Sequence, residues 1–257
     1  MTNTSTTWQH EVTLPVGYLD PETGILHKQA TLRKMTGKEE ALLADPKIRS
    51  NGGKLITALL ENCVTSLEGV DKVDSTVIRH LFSADRNYLL LELRRLTFGD
   101  EMEANYRCSC SATTTLWEDL SALEVRRVEN GSVPEIKVAI KDGYQAPNGN
   151  WEYEFVFQLP TGEDEETSGN RRDNNAARQR DALLACCLKQ VGNLEPKRIR
   201  AMGTKILSDL SMGDRRLIQR AMDEAAPGPD LTRQIVCEQC GKAYRTTLDM
   251  SHFFPLE

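Results

Sequence analysis

Cys108 and Cys110 form one close pair of thiols, and Cys237 and Cys240 form a second. The second pair reads Cys237-Glu-Gln-Cys240-Gly241-Lys242, the spacing of a zinc knuckle. A Cys-x-x-Cys turn presents two sulfurs to one metal, and a following glycine lets the chain turn tightly and aim amides at them. Each pair follows an Asp-Arg dipeptide at the same distance: Asp85 precedes Cys108, and Asp214 precedes Cys237, by 23 residues. One Zn2+ held by Cys108, Cys110, Cys237 and Cys240 uses all four thiols. Such a site is structural, because four thiolates leave no open position for water or substrate. The first pair departs from the knuckle, since only Ser109 separates its cysteines. Ligation by Cys108 alone, or with another partner such as His252, stays open. A redox Cys-x-x-Cys belongs at a helix start, whereas Cys237 ends the extended run Arg233-Gln-Ile-Val.

Little else in the chain points to chemistry. There is no His-x-x-x-His, Gly-x-Ser-x-Gly or phosphate-binding glycine loop. Asp85 and Asp214 form a carboxylate pair only in sequence, and a helix-start setting explains both without catalysis. Glu163 to Glu166 form an acidic run that reads as solvated. Cys63 and Cys187 fall on apolar helical stripes and read as small buried hydrophobes.

The elements that position the thiols alternate between strand and helix. Val12, Leu14 and Val16 alternate as in a strand, and Leu26 to Leu32 is a second β-like stretch. Thr36 with Glu39 forms a capping box for a short helix that Asp45-Pro46 ends. The stripe Ile56, Leu59, Leu60, Cys63, Val64, Leu67 predicts a helix from Lys54 to Leu67, and Val73 to Leu81 a further one. Ser83 is the expected N-cap of a helix that Gly99 stops. Thr113 to Leu116 and Ile136 to Ile140 read as strands, and Gly143 to Asn150 as a turn.

The second half restates this order. Leu159-Pro160-Thr-Gly162 is matched to Leu14-Pro15-Val-Gly17, Ala182-Leu-Leu-Ala-Cys-Cys187 to Ala58-Leu-Leu-Glu-Asn-Cys63, and Asp214-Arg215 to Asp85-Arg86. The expected fold is therefore α+β, internally duplicated, with mainly helical halves and short strands joined by the four-cysteine zinc site. The expected halves are residues 1–145 and 146–257.

The chain has 257 residues, enough for one large or two smaller units, with 27% charged residues and a net charge of −6. Paired basic residues such as Arg94-Arg95 and Arg215-Arg216 are dispersed among acids, which argues against a nucleic-acid stripe. No apolar run has membrane-spanning length. The polar start MTNTSTTWQHE lacks signal-peptide character, so a cytosolic site of synthesis is expected. For the ending, with Phe253 and Phe254, two readings are open: it folds back on the core, or it docks on a neighbouring subunit.

Leu32-Arg-Lys-Met35-Thr-Gly37-Lys-Glu-Glu40, Leu81-Phe-Ser-Ala-Asp85-Arg86-Asn-Tyr-Leu-Leu-Leu-Glu-Leu-Arg-Arg-Leu-Thr-Phe-Gly99 and Tyr106-Arg-Cys108 resemble the small baseplate-hub or hub-assembly proteins of T4-like contractile-tailed bacteriophages. The resemblance covers most of the chain, most strongly 30–110 and 203–257. Relatives carry full knuckles of the form Cys-Pro-x-Cys-Gly. Cys237 to Gly241 fits apart from Glu238, and Cys108-Ser-Cys110 fits poorly. The resemblance implies a non-enzymatic tail or baseplate component whose partners are other tail proteins. It implies assembly in the host cytoplasm and leaves two readings open, a component kept in the virion tail baseplate and an assembly protein that is not. A zinc-stabilised nucleic-acid module and a thiol redox or hydrolytic enzyme are the alternatives from other classes.

Overall fold

The structure, a computed structural model, describes residues 9–129, 132–169, 175–250 and 253–254. It is a mixed α+β fold. The chain begins with strands β1 (Gln9–Leu19) and β2 (Leu26–Arg33) and helices α1 (Gly37–Ala44), α2 (Pro46–Arg49) and α3 (Gly52–Cys63). Then come β3 (Val64–Leu67), α4 (Ser75–His80), α5 (Ser83–Phe98), the ribbon β4 (Glu101–Arg107) and β5 (Thr113–Asp119), and the short β6 (Val125–Arg126). A similar order follows: β7 (Ile136–Gln145), β8 (Trp151–Phe157), α6 (Gly162–Gly169), α7 (Ala176–Cys187), β9 (Leu188–Val191), α8 (Pro196–Asp209) and α9 (Met212–Ala225). The short β10 (Gly228–Pro229) and the ribbon β11 (Thr232–Val236) and β12 (Ala243–Thr247) complete it.

β1-β2-β3 and β7-β8-β9 are antiparallel three-stranded sheets. β1 bulges between Thr13 and Tyr18, and β7 bulges between Ala139 and Tyr144. A bulge turns backbone amides out of the ladder, and those amides need another acceptor. Asp85 supplies it for β1, accepting from Val16 N at 2.8 Å and Gly17 N at 3.0 Å. Asp214 does the same for β7, accepting from Lys141 N at 2.7 Å and Asp142 N at 3.0 Å. Each aspartate thus pins the start of a helix to the bulge of a sheet, which is more than the helix-start role expected of it. Burial is the main force that pushes the Asp85 carboxyl up, to about 6, against the pull of the two amides.

The helix expected from Lys54 to Leu67 stops early, and its counterpart in the second half ends in the same way. α3 ends at Cys63 and α7 at Cys187, and each runs straight into a four-residue strand. Val64 and Leu67 are buried while Thr65 and Ser66 are exposed. Inward residues three apart fit a helix as well as a twisted strand, so periodicity alone extends the helix. Pairing with β2 and the β-branched Val64-Thr65 decide for the strand. The capping box at Thr36 is present, with Glu39 held down to about 2: burial opposes its charge, but Arg33 and the Thr36 donors outweigh that. Asp74 caps α4. Phe82, not Ser83, is the N-cap of α5, and the Ser83 Oγ is buried without a hydrogen bond.

The match between Leu14-Pro15-Val-Gly17 and Leu159-Pro160-Thr-Gly162 does not hold. The first lies in the β1 bulge and the second between β8 and α6. The turn expected at Gly143 begins later, because β7 extends to Gln145. A boundary at 145/146 would also cut the β7–β8 hairpin.

One core cluster gathers β7, β8, α7, α8 and α9 around Phe155 and Phe157. A second gathers β1, β2, α3 and α5 around Leu32, Leu60 and Leu89. A third lies under the two ribbons, with Met102, Tyr106, Ile235, Leu248 and Phe253. Phe253 is fully buried there, so at this position the chain folds back on the core and Phe253 is not exposed to anchor a neighbour. Phe254 is half-buried against the same cluster.

Candidate metal centre

The ribbons β4–β5 and β11–β12 lie together, and each turns at a cysteine pair. In the first turn Cys108 N donates to Ala112 O at 2.8 Å and Ser111 N to Cys108 O at 2.9 Å. In the second Cys237 N donates to Lys242 O at 3.0 Å and Gly241 N to Cys237 O at 2.9 Å. The two turns share this pattern, and the first is one residue shorter. Gly241 adopts φ +69°, and Ser111 adopts φ +72°, the one positive φ among the described non-glycine residues. Ser111 therefore does the work of the knuckle glycine at a conformational cost.

The shorter turn still brings its second sulfur into place. All four Sγ atoms lie within 4.8 Å of one another. Cys108 Sγ is 3.8 Å from Cys240 Sγ, and Cys110 Sγ is 3.7 Å from Cys237 Sγ. Metal–sulfur bonds of about 2.3 Å in a tetrahedron give sulfur–sulfur edges of about 3.8 Å. The cluster has the size of a four-thiolate tetrahedral site. Cys108 and Cys237 are buried, and Cys110 and Cys240 face solvent.

The surroundings favour thiolate at Cys108 and oppose it at Cys110. The Cys110 N–H holds the Cys108 thiol down to about 6, helped by hydrogen bonds from the other thiols. At Cys110 the Ala112 N–H pulls the other way, but burial and the neighbouring sulfurs carry that thiol up to about 11. Cys108 and Cys110 thus hold their protons unequally, and a bound cation would displace the protons of its thiolate ligands. Lys242 Nζ reaches Ser109 Oγ at 3.4 Å, so its positive charge lies across the paired turns.

Beneath the cluster the ribbons are tied by polar bonds. Tyr244 Oη donates to Tyr106 O at 3.2 Å. Arg233 Nε pairs with Glu118 at 2.8 Å, and Tyr106 Oη donates to the same carboxylate at 2.5 Å. Glu118, Arg233 and Ser111 carry no motif and escape sequence reading. Cys63 and Cys187 are buried in the sheet cores, and burial pushes both thiols up. Asp85 and Asp214 are each occupied with their own bulge and form no joint site. His252 lies outside the described residues.

A family model, T4 bacteriophage base plate protein, matches residues 11–255. The chain belongs to this family. No curated protein and no solved structure matches it. As a member of the base plate family it has a structural or assembly role exerted through protein contacts, and that role is not catalytic. Among the described residues, no helix is long and apolar enough to cross a membrane.

Proposed function

We propose that this base plate protein is a rigid two-part scaffold of the contractile-tail hub, clamped by one structural Zn2+ on Cys108, Cys110, Cys237 and Cys240. The observation that carries this reading is the tetrahedral size of the sulfur cluster. Four thiolates from two ribbons, with amides directed at the sulfurs, suit zinc, which favours thiolates and a closed tetrahedron. The bound metal would supply cross-linking alone. Sites of this kind contribute about 10–16 kcal/mol of binding free energy, all of it coupled to folding.

The two parts are proposed to be copies of one ancestral unit. α3 and α7 are both 12 residues long, capped by Asn51 and Asn175. β3 and β9 share one burial pattern. Asp85 and Asp214 bind the bulges of β1 and β7 alike. With α6 taken as the counterpart of α1, Thr161 and Asp164 repeat the Thr36–Glu39 box. The division between copies then falls ahead of Ile136, leaving β7 with the second. We place assembly in the host cytoplasm and the finished protein in the tail baseplate, with other baseplate proteins as partners.

Metal analysis of the chain purified without added zinc tests the clamp. One zinc per chain is expected, and Cys240→Ser and Cys110→Ser should each release it and lower the melting temperature. Full zinc content in Cys110→Ser would remove that residue from the ligand set. Full content in both variants would end the proposal.

A further inference from the structure

α6 does not stay with its own sheet. It packs on α7 and also on α3 of the first half. There Gly162 lies on the fully buried Arg86, so closely that a Cβ would sit 2.4 Å from Nη1. Glu165 pairs with Arg86 Nε at 3.0 Å, and Thr57 Oγ1 donates to Glu166 at 2.5 Å. Backbone bonds seal the contact: Ser83 N to Pro160 O at 2.8 Å and Gly162 N to Leu81 O at 3.0 Å. The receiving surface is Gly53, Thr57, Ile78, Leu81, Ser83 and Arg86.

On the equivalence of the two halves proposed above, the same surface in the second half is Ala177, Asp181, Leu207, Leu210, Met212 and Arg215. Among the described residues it carries no helix. Instead it borders an open cavity of about 480 Å³ between α7, α8 and α9, walled by Leu184, Leu207, Met212 and Arg215. Met212 is 74% exposed. Among the described residues, the Leu210 carbonyl and the Met212 N–H, counterparts of the groups that seal the first contact, make no hydrogen bond. Gln219 on the cavity wall has a buried Oε1 without a partner.

The matching helix face is equally unused. α1 is the counterpart of α6, and it puts Gly37 where α6 has Gly162 and Glu40 where α6 has Glu165. Both are exposed. A Cβ on Gly37 would meet nothing within 4 Å, so no described residue requires this glycine. Charge distinguishes α1 from α6 as the occupant. Arg86 faces the carboxylates Glu165 and Glu166, with neutral Thr57 behind them. Arg215 already has Asp181 at 2.5 Å, at the place of Thr57. A helix bearing an acid at the Glu166 position would oppose Asp181, and α1 carries Ala41 there.

We infer that α1 of a second copy of this chain docks in the α7–α8–α9 cavity, Gly37 lying on Arg215 and Glu40 pairing with it, so that copies associate head to tail. The interface is heterologous: each chain offers one helix and one cavity, and the contact closes a ring or extends an open array. It joins chains by the same contact that joins the halves within one.

The test is mass in solution over a wide concentration range, with the zinc-loaded full chain. Glu40→Arg spoils the helix, and Met212→Glu spoils the cavity. Both positions are exposed, and melting curves and zinc content should match wild type. Wild type should associate as concentration rises, and each variant should stay monomeric. An equimolar mixture of the two variants retains one intact helix and one intact cavity and should give dimers that grow no further. Monomeric wild type, association that survives in either variant, or a mixture without dimers would overturn the inference. Glu165→Arg reads the contact within the chain: if it lowers the melting temperature while Glu40→Arg leaves association unchanged, the docking falls and the equivalence of the halves stands.

Discussion

Arg86 is a buried cation whose removal should be felt throughout the first half. Its side chain is 0% exposed and makes four hydrogen bonds: Nε to Glu165 at 3.0 Å, Nη1 to Thr57 at 3.1 Å and Ile78 O at 3.0 Å, and Nη2 to Gly53 O at 2.9 Å. Arg86→Met keeps much of the volume and none of these bonds. It leaves two carbonyls, a hydroxyl and a largely buried carboxylate without their donor. Breaking a buried pair from one side costs about 3–5 kcal/mol. At about 2–4 °C per kcal/mol for a chain of this size, the melting temperature should fall by about 6–20 °C. Glu165→Leu should also destabilise, because it leaves the guanidinium charge unpaired. The double variant removes both charges, so its loss should be smaller than the sum of the single losses by about 1–2 kcal/mol. Urea unfolding of the four proteins at one pH and salt measures this. Losses that add to within about 0.5 kcal/mol would refute the idea that Glu165 is the energetic partner of Arg86. The helix α6 would then be held by its backbone bonds and apolar contacts.

Four further outcomes follow from the structure. Ser111→Gly should stabilise the chain by about 0.5–1 kcal/mol with zinc content unchanged, because glycine reaches φ +72° without the Cβ penalty; a loss of stability in thermal melts would contradict the role given to Ser111. Asp85, raised in the folded state to about 6, binds more protons folded than unfolded, so its contribution is full below about pH 4 and is lost as pH rises through 6. Glu39, held near 2, gives the opposite limb, with stability lost as pH falls below about 4.5. Urea titrations should therefore lose the pH 4–6 slope in Asp85→Asn and the acid limb in Glu39→Gln; slopes unchanged from wild type would refute the assignments. Phe253→Ala should cost about 3–5 kcal/mol in unfolding experiments, the range for a filled aromatic core site, and near-neutral behaviour would mean that Phe253 does not hold the ribbons together.

The thiols were legible because spacing carries their chemistry: Cys237-x-x-Cys240-Gly241 announces its own turn. The first pair was harder to read. A serine gives no sign that its backbone is left-handed, so the missing residue in Cys108-Ser-Cys110 looked like a broken ligand set. The shorter turn reaches the same end by putting Ser111 where the other turn has glycine. The helix ends failed for a related reason. Val64 with Leu67, and Leu188 with Val191, are spaced for a helix stripe, and only pairing with a neighbouring strand shows them as sheet. What local pattern cannot carry is a partner distant in sequence. A lone arginine in a helix reads as surface, and Arg86 is buried because a glycine and a glutamate arrive from α6.

On the proposed duplication, that dependence also accounts for where the two halves differ. A unit that repeats with every contact satisfied in itself would have no reason to separate Thr57 from Asp181, or Glu166 from Ala41. On the proposed equivalence the two exchanges together move one carboxylate from the arriving helix to the receiving surface, so that Glu165 and Glu166 at Arg86 are answered by Glu40 and Asp181 at Arg215. A solvent-facing surface would give that balance no role, whereas the proposed contact with the α1 face would. On the docking proposed above, the two exchanges belong to one contact between α1 of one copy and the cavity at Arg215 of the next.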